Sequence, residues 1–446
     1  MVRSAALFLA LAGCAAPSRG ADARPNVLFI LADDLGSGDV ACYGAPDIRT
    51  SAIDGLAAQG VRFTQFYSNG PECTPTRTAF LTGCYQQRAG GLECAIGIGG
   101  VGRYDDAARL AAAGELGLPA GEGTLPRLLR DAGYDTAISG KWHLGYERKF
   151  LPDRHGFGRS FGPLGGGVDY HHHTEPGGAP MLYEDGSPIR REGYLTDLIT
   201  DEAVRFLRAP RTKPFFLYVP FTAPHSPYQR HDERREKPVE PDAWDKGDRA
   251  TFAAMVERMD LGVGRILRAL DEAGLAANTL VVFTSDNGAD PRGRNLPYSG
   301  RKGGLLEGGI RVPCVVRWPG RLPAGAVSAR PGMTMDLTAS ILALAGVRPL
   351  RPLDGIDLLR EESEGLAPAK RALFWRARRG NTTWRAVRDG PLKYVSKQDG
   401  AAVEEHLYDI DRDPAEKEDL LAGRGPDASR LKALLSAWEV EVRPAR

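Results

Sequence analysis

Cysteine is scarce in this chain, with six in 446 residues, too few for a disulfide scaffold, so a hydrophobic core must hold the fold. No charge sign dominates. Lysine and arginine number 58 against 57 aspartates and glutamates, a formal net charge of +1. No basic run occurs, and aromatic residues are not interleaved with basic ones, so nothing marks a nucleic-acid or polyanion surface. Internal repeats are absent too. What is present is ordinary for a globular protein: 42% hydrophobic and 26% charged residues, in a chain long enough for two or three domains.

Residues 1–23 read as an export signal. Arg3 supplies a positive start, and Ala5 to Ala12 is an apolar stretch too short to span a bilayer. Leu11-Ala12-Gly13-Cys14 resembles a lipobox, which would leave Cys14 as the lipid-bearing mature terminus. An ordinary secretory signal cut between Ala16 and Ala23 is the alternative. Both readings export the chain, as a periplasmic, outer-surface or secreted protein, with a lipid at Cys14 as its one expected tie to a membrane. Export permits disulfides, and Cys84 and Cys94 are close enough in sequence to pair across a loop.

Apolar runs without alternation, at Val27 to Ala32, Thr136 to Ser139, Phe215 to Phe221 and Leu280 to Thr284, predict strands buried on both faces. Helical patterns lie between them: Leu125 to Ala132, Leu195 to Leu207 and Phe252 to Ala273. This alternation predicts an α/β fold, a large mostly parallel sheet sandwiched by helices. The Gly- and Ala-rich stretch from Ala95 to Gly123 reads as surface loop with a marginal helix. A helix over Met335 to Ala345 is followed by a shift in composition. Strand-like pieces at Ala372 to Arg376, Thr383 to Arg388 and Leu392 to Ser396, then a helix over Ala428 to Val440, predict a smaller C-terminal α+β subdomain with an antiparallel sheet.

Each predicted strand of the large sheet runs into residues that can do chemistry. Val27 to Ala32 leads to Asp33 and Asp34, and Leu280 to Thr284 leads to Asp286 and Asn287. Thr136 to Ser139 leads to Lys141 and His143, and Phe215 to Phe221 to His225. Ligands of open α/β sheets bind outside the carboxyl ends of strands. The acids and the amide supply only oxygen donors, which suits calcium. Arg77, Lys141, His143, His225 and Lys302 form a cationic set able to clamp an anion and move a proton. In Cys73-Thr74-Pro75-Thr76-Arg77, Thr74 reads as a helix cap, Pro75 as the first helical residue and Gly83 as the stop. That places Cys73 at a positive helix end and Arg77 on the same face. The His171-His172-His173 run reads as a pocket-lining or surface loop, with no partners spaced for a metal.

These residues lie in segments that resemble the formylglycine-dependent sulfatases of the alkaline phosphatase superfamily: RPNVLFILADDLG, CTPTRTAFLTG, GYDTAISGKWHLG, TAPHSPY, FTSDNGAD, GRKGGLLEGGIRVP and LYDIDRDPAEKEDLL. They run in family order from Arg24 to about Leu421. The resemblance implies a catalytic domain over 24–367 and the subdomain over 368–446. It implies hydrolysis of sulfate esters, on sulfated carbohydrates or aryl sulfates. Cys73 is then oxidised to formylglycine by a maturation enzyme, and its hydrate attacks sulfur. One calcium ion would be bound by Asp33, Asp34, Asp286, Asn287 and the modified Cys73. Asp286 also becomes a candidate acceptor of the diol proton. Arg77 and Lys141 hold the hydrated aldehyde, and His143 takes a proton in the elimination. His225 and Lys302 bind sulfate, and one of them protonates the leaving oxygen. The chain departs from the family at Cys84, where an arginine usually follows LTG, and mildly at Thr76, where serine is commoner. A phosphonate or phosphate ester hydrolase on the same scaffold is the alternative enzyme. A silent binder of sulfated glycans is the alternative if Cys73 stays unmodified.

Overall fold

A computed structural model describes residues 24–97, 105–121 and 123–443. The export signal and Cys14 lie outside the described residues. The large sheet has ten strands: β1 (Asn26–Ala32), β2 (Val61–Phe63), β3 (Asp135–Ser139), β4 (Arg159–Pro163), β5 (Leu182–Glu184), β6 (Ser187–Pro188), β7 (Phe215–Pro220), β8 (Thr279–Ser285), β9 (Cys314–Arg317) and β10 (Ala326–Ser328). Their spatial order is β10-β2-β9-β8-β1-β7-β3-β4-β5-β6. From β8 through β1, β7 and β3 to β4 every neighbour is parallel. The carboxyl ends of β8, β1, β7 and β3 therefore open on one edge. β9 and β5 join antiparallel on the two flanks.

The central strands are buried along their whole length, as their unbroken apolar runs predict for a sheet covered on both faces. Helices Leu195–Arg208 and Arg249–Glu272 pack on each other, and Arg249–Glu272 also packs on Ser51–Ala58. Helix Cys73–Thr82 packs against Thr334–Leu344 and Leu125–Asp131. Phe80 anchors it to the sheet, its ring stacked 3.9 Å from Phe29 and 5.3 Å from Tyr218. All ten residues of that helix are buried.

A four-stranded antiparallel sheet follows, β11 (Leu373–Arg379), β12 (Thr382–Asp389), β13 (Leu392–Asp399) and β14 (Ala402–Asp409), with helix Gly425–Glu441. β14 has polar, exposed positions over most of its length, which hid it from hydrophobic patterning. The sheet is fixed to the rest of the molecule by a buried cluster of charge. Lys393 Nζ bonds Glu307 Oε1 at 2.8 Å and Glu416 Oε1 at 2.9 Å. Glu416 Oε2 accepts from the Glu307 backbone N–H. Tyr67 OH and Arg311 hold the second Glu307 oxygen, at 2.7 and 3.1 Å. LYDIDRDPAEKEDLL thus supplies Glu416 to a structural joint.

Cys84 and Cys94, whose pairing the sequence left open, are not joined in a disulfide: Cys84 lies against the Pro352 carbonyl, whereas Cys94 packs with Ala107. Two expectations need refinement. The helix expected in the stretch after Ala95 is present at Asp105–Ala112, but the stretch is not simply surface, since Ile96 and Leu118 are buried. The helix over the cysteine begins at Cys73, with Glu72 as the extended residue before it. Thr74 is therefore in the first turn and its hydroxyl donates to the His143 carbonyl at 3.0 Å, instead of capping. Gly83, at φ 68°, ends the helix as expected.

Candidate active site

Backbone bonds tie the carboxyl ends of the parallel strands together. Asp286 N–H donates to Ala32 O at 3.2 Å, Lys141 N–H to Pro220 O at 2.7 Å and Asp33 N–H to Ala223 O at 3.1 Å. Gly140 makes the Lys141 turn feasible: its φ is 139°, and a Cβ there would stand 2.0 Å from Pro220 O. Asp34 (φ 66°) and His143 (φ 57°) also adopt left-handed backbone, a conformation that concentrates at functional sites.

These ends gather the candidate acids, amide and cations around Cys73. Cys73 Sγ lies 3.3 Å from Asp33 Oδ1 and 3.4 Å from Lys141 Nζ. Lys141 Nζ also bonds Asp33 Oδ2 at 2.5 Å. Arg77 grips Asp286 Oδ2 through Nε at 3.1 Å and Nη2 at 2.8 Å, and reaches Asp33 at 3.7 Å. Lys302 Nζ bonds Asp34 Oδ2 at 2.7 Å, and His225 Nε2 stands 3.7 Å from the same oxygen. Asn287 Nδ2 donates to Asp34 Oδ1 at 2.7 Å. His143 Nε2 is 2.6 Å from Ile96 O, which makes Nε2 the protonated nitrogen and leaves Nδ1 without a partner. The three histidines at 171–173 face elsewhere. They bond Arg230, Asp169, Glu236 and Gly193.

Burial sets the electrostatics. It pushes the Cys73 thiol well above its ordinary range, with the carboxylates of Asp286 and Asp33 adding to the effect, so the bare thiol is a poor nucleophile. Asp286 is raised to about 6 by burial and by Asp33. Against the pull of burial, Lys302 and His225 hold Asp34 down at about 2. Burial and Lys141 keep His143 neutral, well below the usual histidine range. Burial and Lys302 lower His225 to about 4. Lys302 itself is raised well above its usual range, since the attraction of Asp34 outweighs burial.

A hard cation fits the donor set. Asp33, Asp34, Cys73 and His225 each offer a ligand atom, all within 4.8 Å of one another. Asp286 adjoins them, its Oδ1 3.3 Å from the Asp34 N–H. Asn287 Oδ1 is buried with no hydrogen-bond partner, an acceptor oriented by its own amide for an electropositive guest. Three carboxylates (Asp33, Asp34, Asp286) face three cations (Arg77, Lys141, Lys302), so a dication and an anionic ester can enter together with little net charge.

Sequence reasoning passed over several residues here. Asp290 and Tyr228, bonded at 3.0 Å, lie inside segments already singled out. Glu72 precedes the cysteine and pairs with Arg379. Nothing local in the sequence marks Arg379 or Trp244, which reach the cavity only through tertiary packing.

A parallel-sheet core with an oxygen-rich, anion-clamping crevice at its strand ends defines a hydrolase-like architecture. The family model described as Sulfatase matches residues 25–347. Mouse (Mus musculus) steryl-sulfatase is 34% identical, covering 98% of this chain and 84% of its own length. Dog (Canis lupus familiaris) N-acetylgalactosamine-6-sulfatase is 33% identical, over 92% of this chain and 84% of its own. Among solved structures, Ps i-CgsB in complex with k-i-k-neocarrahexaose superposes with a TM-score of 0.80 at 28% identity, over 95% of this chain and 94% of the other. The chain belongs to the sulfatase family. Its enzyme class is accordingly that of the sulfuric ester hydrolases.

Proposed function

We propose that the chain hydrolyses sulfate monoesters of a sugar or aryl alcohol, with Cys73 converted to formylglycine by a maturation enzyme and one calcium ion bound beside it. The carrying observation is the position of Cys73, buried on the first turn of its helix within 3.4 Å of both Asp33 and Lys141. Formylglycine, as its hydrate, would supply the attacking hydroxyl and a second hydroxyl through which sulfate is expelled. Calcium, held by Asp33, Asp34, Asp286 and Asn287 with position 73 and adjacent His225, would polarise the nucleophile and a sulfate oxygen.

The chain's own groups have separable tasks. Arg77 and Lys141 fix the side chain at 73 and neutralise the acids around it. Lys302 and His225 hold sulfate oxygens. Lys302 keeps its proton while His225 does not, so protonation of the leaving oxygen falls to Lys302. A divalent cation nearby would lower His225 further. His143 is neutral, with Nδ1 open as a base, which suits proton removal in the elimination. Asp286, held by Arg77 beside position 73, is the candidate acceptor of the diol proton.

We further propose residues 1–23 as the export signal, processed either to a lipid-bearing Cys14 or as an ordinary secretory signal, and 24–367 and 368–446 as catalytic domain and subdomain. Among the described residues no helix is long and apolar enough to cross a membrane. Rates on matched aryl sulfate, phosphate and phosphonate esters test the reaction. The sulfate should be turned over fastest, and a clear preference for the phosphonate would reverse the reading.

A further inference from the structure

Beyond the charge-balanced set on its floor, the crevice carries a rim of further acids. Cys73, His143 and Lys302 lie in a cavity of about 580 Å³, large enough for more than a bare sulfate. His143 is buried, and its Nδ1 lacks a partner there, which points to a ligand on the floor. The same cavity is lined by the carboxylates of Glu72, Glu175, Asp245 and Asp290, with the aromatic rings of Tyr146 and Trp244.

A protein hydroxyl holds one oxygen of each of three rim acids. Glu175 Oε1 accepts from Tyr146 OH at 3.1 Å, Asp245 Oδ1 from Ser226 Oγ at 2.7 Å and Asp290 Oδ1 from Tyr228 OH at 3.0 Å. Among the described residues none of the three makes an ion pair. Each is thus oriented, acceptor-only when ionised and without a directly bonded cation, although Lys302 draws on Asp290 from a distance. Arg379, which enters the cavity from β11, is paired with Glu72 and its charge is cancelled.

Such a rim has two consequences for the alcohol part of the substrate. A second sulfate or a carboxylate next to the cleaved ester would meet like charge. A wholly apolar alcohol would cover carboxylate oxygens without offering them donors. A hydroxyl-bearing ring supplies donors to the free oxygens and C–H faces to Tyr146 and Trp244.

Resting on the sulfatase reading, we propose that the substrate is a monosulfated, otherwise uncharged sugar, and that Glu175, Asp245 and Asp290 select it by rejecting a neighbouring anion. The test uses full-length protein with Cys73 converted and three probes. These are a neutral disaccharide with one sulfate, the same disaccharide with a second sulfate on the adjacent ring, and its uronate counterpart. An aryl sulfate serves as the control. The expected kcat/KM for the first exceeds that for either anionic probe by about ten-fold or more, through KM, and the ratio shrinks as salt is raised. Glu175→Gln with Asp245→Asn should bring the ratio close to one. Equal or better use of the anionic probes, or a ratio unmoved by salt and by the variant, would overturn the inference. Failure to turn over even the aryl sulfate would instead overturn the sulfatase reading, and this inference with it.

Discussion

The crevice at the strand ends and the joint beneath the C-terminal sheet both bury clusters of opposite charge, yet only one of them is complete. At the joint, Glu307, Glu416, Lys393, Arg311 and Tyr67 bond one another, and no side-chain atom of theirs is buried without a partner. In the crevice, Asn287 Oδ1 and His143 Nδ1 are buried and unpaired; left-handed backbone does not distinguish the two, since Glu416 of the joint adopts it as Asp34 and His143 do. Composition does not separate the two clusters; satisfaction does. A closed network holds domains together, and one with open valences is prepared for a ligand.

Removing the nucleophile position should separate the clusters most sharply. Cys73→Ala is expected to lower kcat on an aryl sulfate by about 10⁴-fold or more, while the thermal unfolding midpoint changes little. Lys393→Met does the converse. It leaves Glu307 and Glu416 buried against each other, so stability should fall by roughly 3–5 kcal/mol in chemical denaturation, with kcat of the folded fraction nearly unchanged. A large loss of kcat with normal stability in that variant would erase the distinction.

Calcium removal probes the open cluster alone. Stripping with a chelator should abolish most turnover and lower the unfolding midpoint, with calcium restoring both. At a ligand concentration a hundred-fold above Kd the stabilisation is about 2.7 kcal/mol. Cys73→Ala should retain weakened calcium stabilisation, and Lys393→Met should retain it in full.

Acid is the mildest probe; it titrates Asp34 of the crevice, held at about 2, so its action on the closed cluster is read against Lys393→Met. Glu307 is lowered to about 2, because Lys393 and Arg311 outweigh burial. A lowered carboxylate stabilises the fold fully above its unfolded value near 4.5, and that stability is lost as pH falls toward 2. Glu416 is raised by burial and by Glu307, which works in the opposite sense. The closed cluster's share of the loss between pH 5 and pH 2, taken as wild type minus Lys393→Met, should therefore stay below about 3 kcal/mol. Melting curves across that range check it, and Lys393→Met should flatten the Glu307 part of the dependence.

The sequence made the crevice largely legible because its residues follow strands that announce themselves. Val27 to Ala32 is an unbroken apolar run, and the acids come directly after it. The helix over Cys73 was legible in extent but not in its start. Thr74 looks like a cap, and only the fold shows its hydroxyl drawn to the His143 carbonyl. β14 was invisible, since Glu404 and Glu405 interrupt any apolar alternation. Arg379 and Trp244 carry no local signal, because their place in the cavity depends on how β11 and the loop after Pro241 pack. LYDIDRDPAEKEDLL was legible as a segment, but nothing in it marked Glu416, whose role in the joint needed Glu307 and Lys393 in view.

Peptide mass analysis of position 73, run on the same sample whose sulfate release is being timed, interrogates the reading most directly. Activity should rise in proportion to the fraction of peptide in which the sulfur has given way to an aldehyde. Full turnover from material that is thiol throughout would contradict it.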